Sequence, residues 1–241
     1  MALAVDATSH STAQSGSSWS WNHTCTGSNL ILVVGVTNVG AGNSVLTLTY
    51  NSVSLTQVRK DFNGSSNSTT EIWYLLNPAT GTHSIAVALN GNATSGIGCA
   101  ISLTGAAQSG QMDANVGDST GSGSPISDNI TTLTAGDYVI DLACDNPTGA
   151  MGAATAGGSQ TVIANIADSS IGVLHMASYK GPVSPAGAAT MSWTDTSSGP
   201  SWSHSLVAVK PAASTFTWQQ LTPEGQELPR EYFDRVEVVD Y

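Results

Sequence analysis

Val45-Leu-Thr-Leu-Thr-Tyr50 and Val53-Ser-Leu-Thr-Gln-Val58, separated by Asn51-Ser52, are the stretch that decides the fold. Both runs alternate apolar with hydroxyl or amide side chains at period two, the spacing that sends successive residues to opposite faces of a strand. Between them sit two residues suited to a tight hairpin turn, because asparagine tolerates a positive φ. The same pattern continues outward in both directions. Strands are predicted at 3–8, 18–24, 29–37, 45–50, 53–59, 70–76, 83–89, 97–104, 126–132, 137–144, 160–164, 172–179, 189–194 and 203–210, with no helical period in the body. Short strands at this density, divided by Gly, Ser, Asn and Thr, mark a sandwich or jelly roll. The stretches 105–125 and 148–159 are too rich in Gly, Ala and Ser for strands and are read as loops. The fold class expected is all-β, a jelly-roll-like antiparallel β-sandwich with a C-terminal extended arm.

The arm begins where the chain changes character, at Pro211. Residues 212–241 carry 8 of the 23 charged residues, four of the five Glu and two of the three Phe. We therefore divide the chain into a sandwich domain, 1–211, and a docking arm, 212–241. Pro211, Pro223 and Pro229 prevent one long helix. The last six residues, Val236-Glu-Val-Val-Asp-Tyr241, have strand character suited to adding to a neighbour's sheet edge. Trp218, Leu221, Tyr232, Phe233, Val236, Val238 and Tyr241 are more apolar surface than a solvated tail would carry. They are expected to bind a partner subunit, with the aromatic rings as anchors.

Composition narrows the partners. With 40 % hydrophobic and only 10 % charged residues, solubility rests on hydroxyls and amides. A net charge of −11 and a single basic pair, Arg59-Lys60, argue against binding nucleic-acid phosphates, which takes a stripe of Lys and Arg. The N-terminus has no basic leader region, and the longest strongly apolar run, 30–36, is far short of the ~20 residues that span a bilayer. A chain made and kept in the cytosol, with no membrane partner, is the expectation. Cys99 and Cys144 alternate with apolar residues and are read as buried free thiols, and the cysteine spacing matches no zinc pattern. No cofactor and no metal is expected.

Few residues suggest chemistry. Asp137, Asp141 and Asp145 share one face of a strand, yet residues four apart along a strand stand ~13 Å from each other, so the row cannot converge on one ion and is read as a solvated face. Asp113-Ala-Asn-Val-Gly-Asp118 only superficially resembles a calcium loop, since its glycine is displaced and no glutamate closes it. Glu71 beside Trp73 has the look of a sugar subsite, but no second acid stands near it in sequence to make a hydrolase pair. Serine and five histidines are present without a nucleophile elbow. Trp19 and Trp21 alternate with serine, so both indoles lie on one face: a sugar platform if that face is open, core if it turns inward. Scarcity of Phe favours the core. Trp19, Trp21, Glu71 and Trp73 are the candidate carbohydrate-binding residues.

Ser28-Asn-Leu-Ile-Leu-Val-Val-Gly-Val36, the hairpin quoted above, Glu71-Ile-Trp-Tyr-Leu-Leu-Asn-Pro78, Gly81-Thr-His-Ser-Ile-Ala-Val-Ala-Leu89 and the closing Ser205-Leu-Val-Ala-Val-Lys-Pro211 together resemble a jelly-roll β-sandwich family. Its members recur in tailed-phage structural proteins and bacterial surface proteins. The resemblance covers about residues 2–212, not the arm, and brings no active-site motif. It implies a non-enzymatic virion protein assembled in the host cytoplasm, a capsid decoration or cement subunit or a tail accessory subunit. The partners implied are other capsid or tail subunits, with homo-oligomerisation. The alternative is a carbohydrate- or host-receptor-binding module with a surface glycan as ligand.

Overall fold

A computed structural model of the chain describes residues 2–40 and 44–213. The arm residues Trp218, Leu221, Tyr232, Phe233, Val236, Val238 and Tyr241 lie outside the described residues. The first half of the body forms β1 (Ala4–His10), β2 (Gln14–Cys25), β3 (Ile31–Val39), β4 (Val45–Tyr50), β5 (Val53–Ser54), β6 (Thr56–Asn63), β7 (Ser68–Leu76) and β8 (Gly81–Thr104). The second forms β9 (Met112–Ser122), β10 (Ile126–Thr131), β11 (Asp137–Asp145), β12 (Ala154–Ala156), β13 (Thr161–Asp168), β14 (Val173–Val183), β15 (Ala188–Asp195) and β16 (Ser201–Val209). All the pairings are antiparallel, as expected for a sandwich.

The hairpin at Asn51-Ser52 forms as its sequence requires, with φ of 48° and 65° at the two central residues and Tyr50 paired with Val53. Positive φ at both is the condition for the turn whose twist matches its strands. Serine tolerates this conformation poorly. Ser52→Gly is expected to add about 0.5 kcal/mol of stability, or 1–2 °C in Tm, in thermal melts; a loss of stability would show that the Ser52 side chain contributes more than its strain costs. Beyond the turn the strand predicted at 53–59 breaks at Leu55. Its first part stays with β4, and the rest pairs with β7 at the opposite end of the same folded-over sheet.

Strand β8 does two jobs. Its first part pairs with β2 on one side and β4 on the other, and its last part pairs with β1 and β3. A three-stranded leaf, β4–β8–β2, thus faces a five-stranded leaf, β1–β8–β3–β7–β6. Between them lies a core that includes Leu32, Val34 and Val36 of β3 and Ile85, Val87 and Leu89 of β8. Outer strands wrapping inner ones in this order make a jelly roll.

The second half repeats it. β15 and β16 stand for the two parts of β8: β10 and β12 flank β15 as β2 and β4 flank β8. Strand β16 lies between β9 and β11, followed by β14 and β13, as β8 lies between β1 and β3, followed by β7 and β6. The register repeats too. Thr56 opposes Tyr74 and Thr161 opposes Tyr179, and a bulge follows each pair at 57/59 and 162/164. Val33 and Ile140 face those same tyrosines from β3 and β11. What reads in sequence as one sandwich is two jelly rolls in tandem, held as one body.

The two rolls meet through their five-stranded sheets. Ile31, Val33, Ile101 and Leu103 pack on Tyr138, Ile140, Leu142 and Val207. Strand β3 is buried on both faces along its whole length, as are β11 and β16. Strand β3 therefore reads as a nearly continuous apolar run, the usual mark of a sheet covered on both sides, whereas β11 and β16 bury Asp, Ser and His among their apolar residues.

Candidate functional site

Trp19, Trp21 and Trp73 turn toward the core inside the first roll, and Glu71 lies on the same face of β7 as Trp73. The structure brings the three tryptophans onto one core, with Trp19 buried and Trp21 and Trp73 half-buried at its margin. Trp19 is 7 % and Glu71 0 % exposed. The Trp21 ring covers Gly98, where an added Cβ would fall 2.1 Å from the indole, and its Nε1 donates to Ser9 Oγ at 3.1 Å. Glu71 accepts from the Val45 amide at 2.9 Å and from Gln57 Nε2 at 2.7 Å, while burial pushes its carboxyl pKa up. The sugar-platform reading of these four lacks an open face: Trp19 and Glu71 are buried, and Trp21 and Trp73 are half-buried against the core between the two leaves.

A larger correction concerns β11. Asp137, Asp141 and Asp145 share a face as expected, but that face is not solvated; each is 0 % exposed, because β10, β15 and β12 lie over it. Each aspartate has a partner at its own level of the sandwich. Asp141 accepts from Trp193 Nε1 at 2.8 Å and from the Ser178 amide at 2.9 Å, and bonds the Ser178 hydroxyl. It also meets His204 Nε2 at 3.1 Å, and His204 Nδ1 meets Asp128 Oδ2 at 2.9 Å. Burial pulls the His204 imidazole down, but its two carboxylates outweigh that and raise its pKa to about 9. A buried imidazolium between two aspartates results. Burial, then the Asp113 carboxyl, raises Asp137 to about 8, and burial, then Asp195, raises Asp145 to about 8. The loop that echoes a calcium site is strand β9, where Asp113 caps the turn at Leu133 and Thr134. Aspartate is disfavoured in strands, so three on one strand was the signal for an internal network.

A second polar knot joins the two rolls. His175 Nδ1 meets Thr37 Oγ1 at 2.8 Å and its Nε2 meets Ser95 Oγ at 2.9 Å. Ser95 Oγ in turn donates to Asp168 Oδ2 at 2.7 Å. Serine, histidine and aspartate are together, but in the wrong order for nucleophilic catalysis: the carboxylate holds the serine rather than orienting the imidazole. Burial drives His175 down to about 4, and His23, bonded to Ser9 and Ser102, likewise. Both are neutral and structural. Cys25, Cys99 and Cys144 are buried free thiols.

Two grooves among the described residues open outward. A groove of about 520 Å³, lined by Asn29, Gln108, Ser109, Thr134 and Lys210 among others, opens where the chain leaves the second roll at Pro211–Ala213. A smaller one, about 340 Å³, lies by Ser159, Lys180 and Pro182. The first combines two amides, two hydroxyls and one ammonium, groups that hold a polypeptide rather than activate a bond. No family model, no curated protein and no solved structure matches the chain.

Proposed function

We propose that this chain is a non-enzymatic structural subunit of a tailed-phage virion, a capsid decoration or cement protein or a tail accessory protein, docking on neighbouring subunits through residues 212–241. The observation that supports it most is where the polar chemistry lies. The His175 and His204 networks close on themselves between sheets, and the outer surface is hydroxyl-rich strand and loop. Such a body works by being rigid. The groove beside Lys210 and Thr134 lies at the root of the arm, so a partner held by the arm also meets the body there. The phage setting rests on the resemblance of residues 2–212 to jelly-roll virion proteins. The burial of Trp19 and Glu71, with Trp21 and Trp73 half-buried, weakens the glycan-binding alternative.

The test is the solution mass of the full-length protein against a chain ending at Ala212, by size-exclusion chromatography with light scattering. A defined oligomer from the full-length chain and a monomer from the shortened one is expected. Two monomers would remove self-assembly through the arm.

A further inference from the structure

Each end of β11 brings two carboxyl groups together, and the two pairs differ in what neutralises them. At one end Asp137 meets Asp113, with the Lys210 ammonium near enough to favour the ionised form of Asp137. At the other, Asp145 meets Asp195, and Ser197 also reaches the Asp145 carboxyl. Asp145 is 0 % and Asp195 4 % exposed. Each has one oxygen in use: Asp145 Oδ1 accepts from the Ser201 amide and Asp195 Oδ1 from the Ser197 amide, both at 2.7 Å. The other oxygen of each, Oδ2, is buried without a hydrogen-bond partner. Two such oxygens repel each other unless positive charge lies between them. Among the described residues the cationic side chains are elsewhere. Arg59 is on Asp61, Lys60 bonds Ser44, and Lys210 is at the far end of β11. Lys180 pairs with Val139, six residues along β11 from Asp145, or about 20 Å.

We propose that Asp145 Oδ2 and Asp195 Oδ2 hold a divalent cation, Ca²⁺, at the loop end of the second roll. The donors present are oxygens, two carboxylates and the Ser197 hydroxyl, which suit a hard cation, and water completes the six to eight positions Ca²⁺ takes. Among the described residues no three His, Cys, Asp or Glu gather as metal ligands, so metals that demand imidazole or thiolate find no site here. Asp145 belongs to the five-stranded sheet and Asp195 to the three-stranded one. The ion therefore ties the two sheets of the roll together and fixes the turn at 196–200.

The experiment uses the full chain, freed of metal with a chelator and titrated with CaCl₂ by calorimetry and thermal melts. One ion per chain is expected, with Tm rising about 5–10 °C at a hundredfold excess over Kd. Terbium in place of calcium is expected to emit on indole excitation, since Trp202 sits opposite Asp145 in the β11–β16 ladder. Asp195→Asn, of the same shape and able to bond a protonated Asp145, is expected to fold and to lose the calcium heat, the Tm shift and the terbium signal. Asp137→Asn is expected to keep all three. No heat and no Tm shift in the wild type at roughly 10 mM, above the weakest range for protein calcium sites, would overturn the proposal and leave the pair sharing a proton. A calcium response that survives Asp195→Asn would overturn it as well.

Discussion

His204→Ala is expected to lower the unfolding free energy by about 3–5 kcal/mol, the usual cost of removing one partner from a buried charge network. The loss is large because Asp141 has no water to turn to. It is 0 % exposed, and its remaining donors, Trp193 Nε1 and Ser178, carry no formal charge. The effect depends on pH, and its sign follows from the pKa of His204. In the folded protein that value is about 9, against about 6.5 unfolded. The histidine thus contributes its full stabilisation below pH 6.5 and loses it as pH rises toward and through 9, a total of about 3 kcal/mol. Urea unfolding of wild type and variant at pH 6, 7.5 and 9.5 is the check. The gap between them should be widest at pH 6 and shrink steadily; a gap constant across that range would mean that His204 acts by packing alone. On the acid side His23 and His175 have folded pKa values depressed to about 4, so their contribution is lost as pH falls from 6.5 toward 4. Comparing variant with wild type at each pH removes that common background.

Gly35→Val is expected to cost about 3 kcal/mol, read as a Tm lower by about 6–12 °C. Gly35 lies on β3 where the two rolls touch. A Cβ there would fall 2.2 Å from Leu142 Cδ1, 2.6 Å from Cδ2 and 2.9 Å from Cys99 Sγ. Leu142 is itself 0 % exposed, so it cannot swing aside and the sheets must part. The same geometry gives a test by compensation. Gly35→Ala combined with Leu142→Ala is expected to be at least 1 kcal/mol more stable than the sum of the single losses, about the coupling found between residues in contact. Strict additivity would mean that the two positions do not press on each other.

The hairpin at Asn51-Ser52 was legible because a turn is local chemistry, and the strand positions were legible because period two needs no tertiary information. The side of β11 that carries Asp137, Asp141 and Asp145 could also be read. Its burial could not, since the covering strands come from residues 126–131 and 188–195, remote in the chain. Strand β9 was hidden for a related reason: Met112–Ser122 is poor in strand-forming residues and is held by its ladder to β16, so context overrides propensity. The stretch around Asn90-Gly-Asn92 looked like a break between strands, yet β8 continues through it. The doubling of the fold stayed invisible because the halves share pairing but few side chains: Thr56 and Tyr74 correspond to Thr161 and Tyr179, but the equivalents of Trp19 and Trp21 in β10 are Ile126 and Asp128. Of the candidate sites, the shared face of Trp19 and Trp21 and that of Glu71 and Trp73 follow from strand alternation alone, whereas the direction in which the tryptophan face turns depends on which strands lie over it.

The correspondence between the rolls has one more consequence at Gly35. Two residues on from Val33 stands Gly35, and two residues on from Ile140 stands Leu142, so the glycine touches its own counterpart. Contacts of a residue with its counterpart occur where a two-fold axis passes. Around it the other contacts come in mates: β6 lies against β9 and β16, as β13 lies against β1 and β8. The body is arranged as a symmetric dimer written into one chain. A true homodimer would have to place the same residue on both sides of that axis, two leucines in collision or two glycines over a void. Covalent linkage releases the chain from that constraint and lets a leucine fill the space that a glycine leaves.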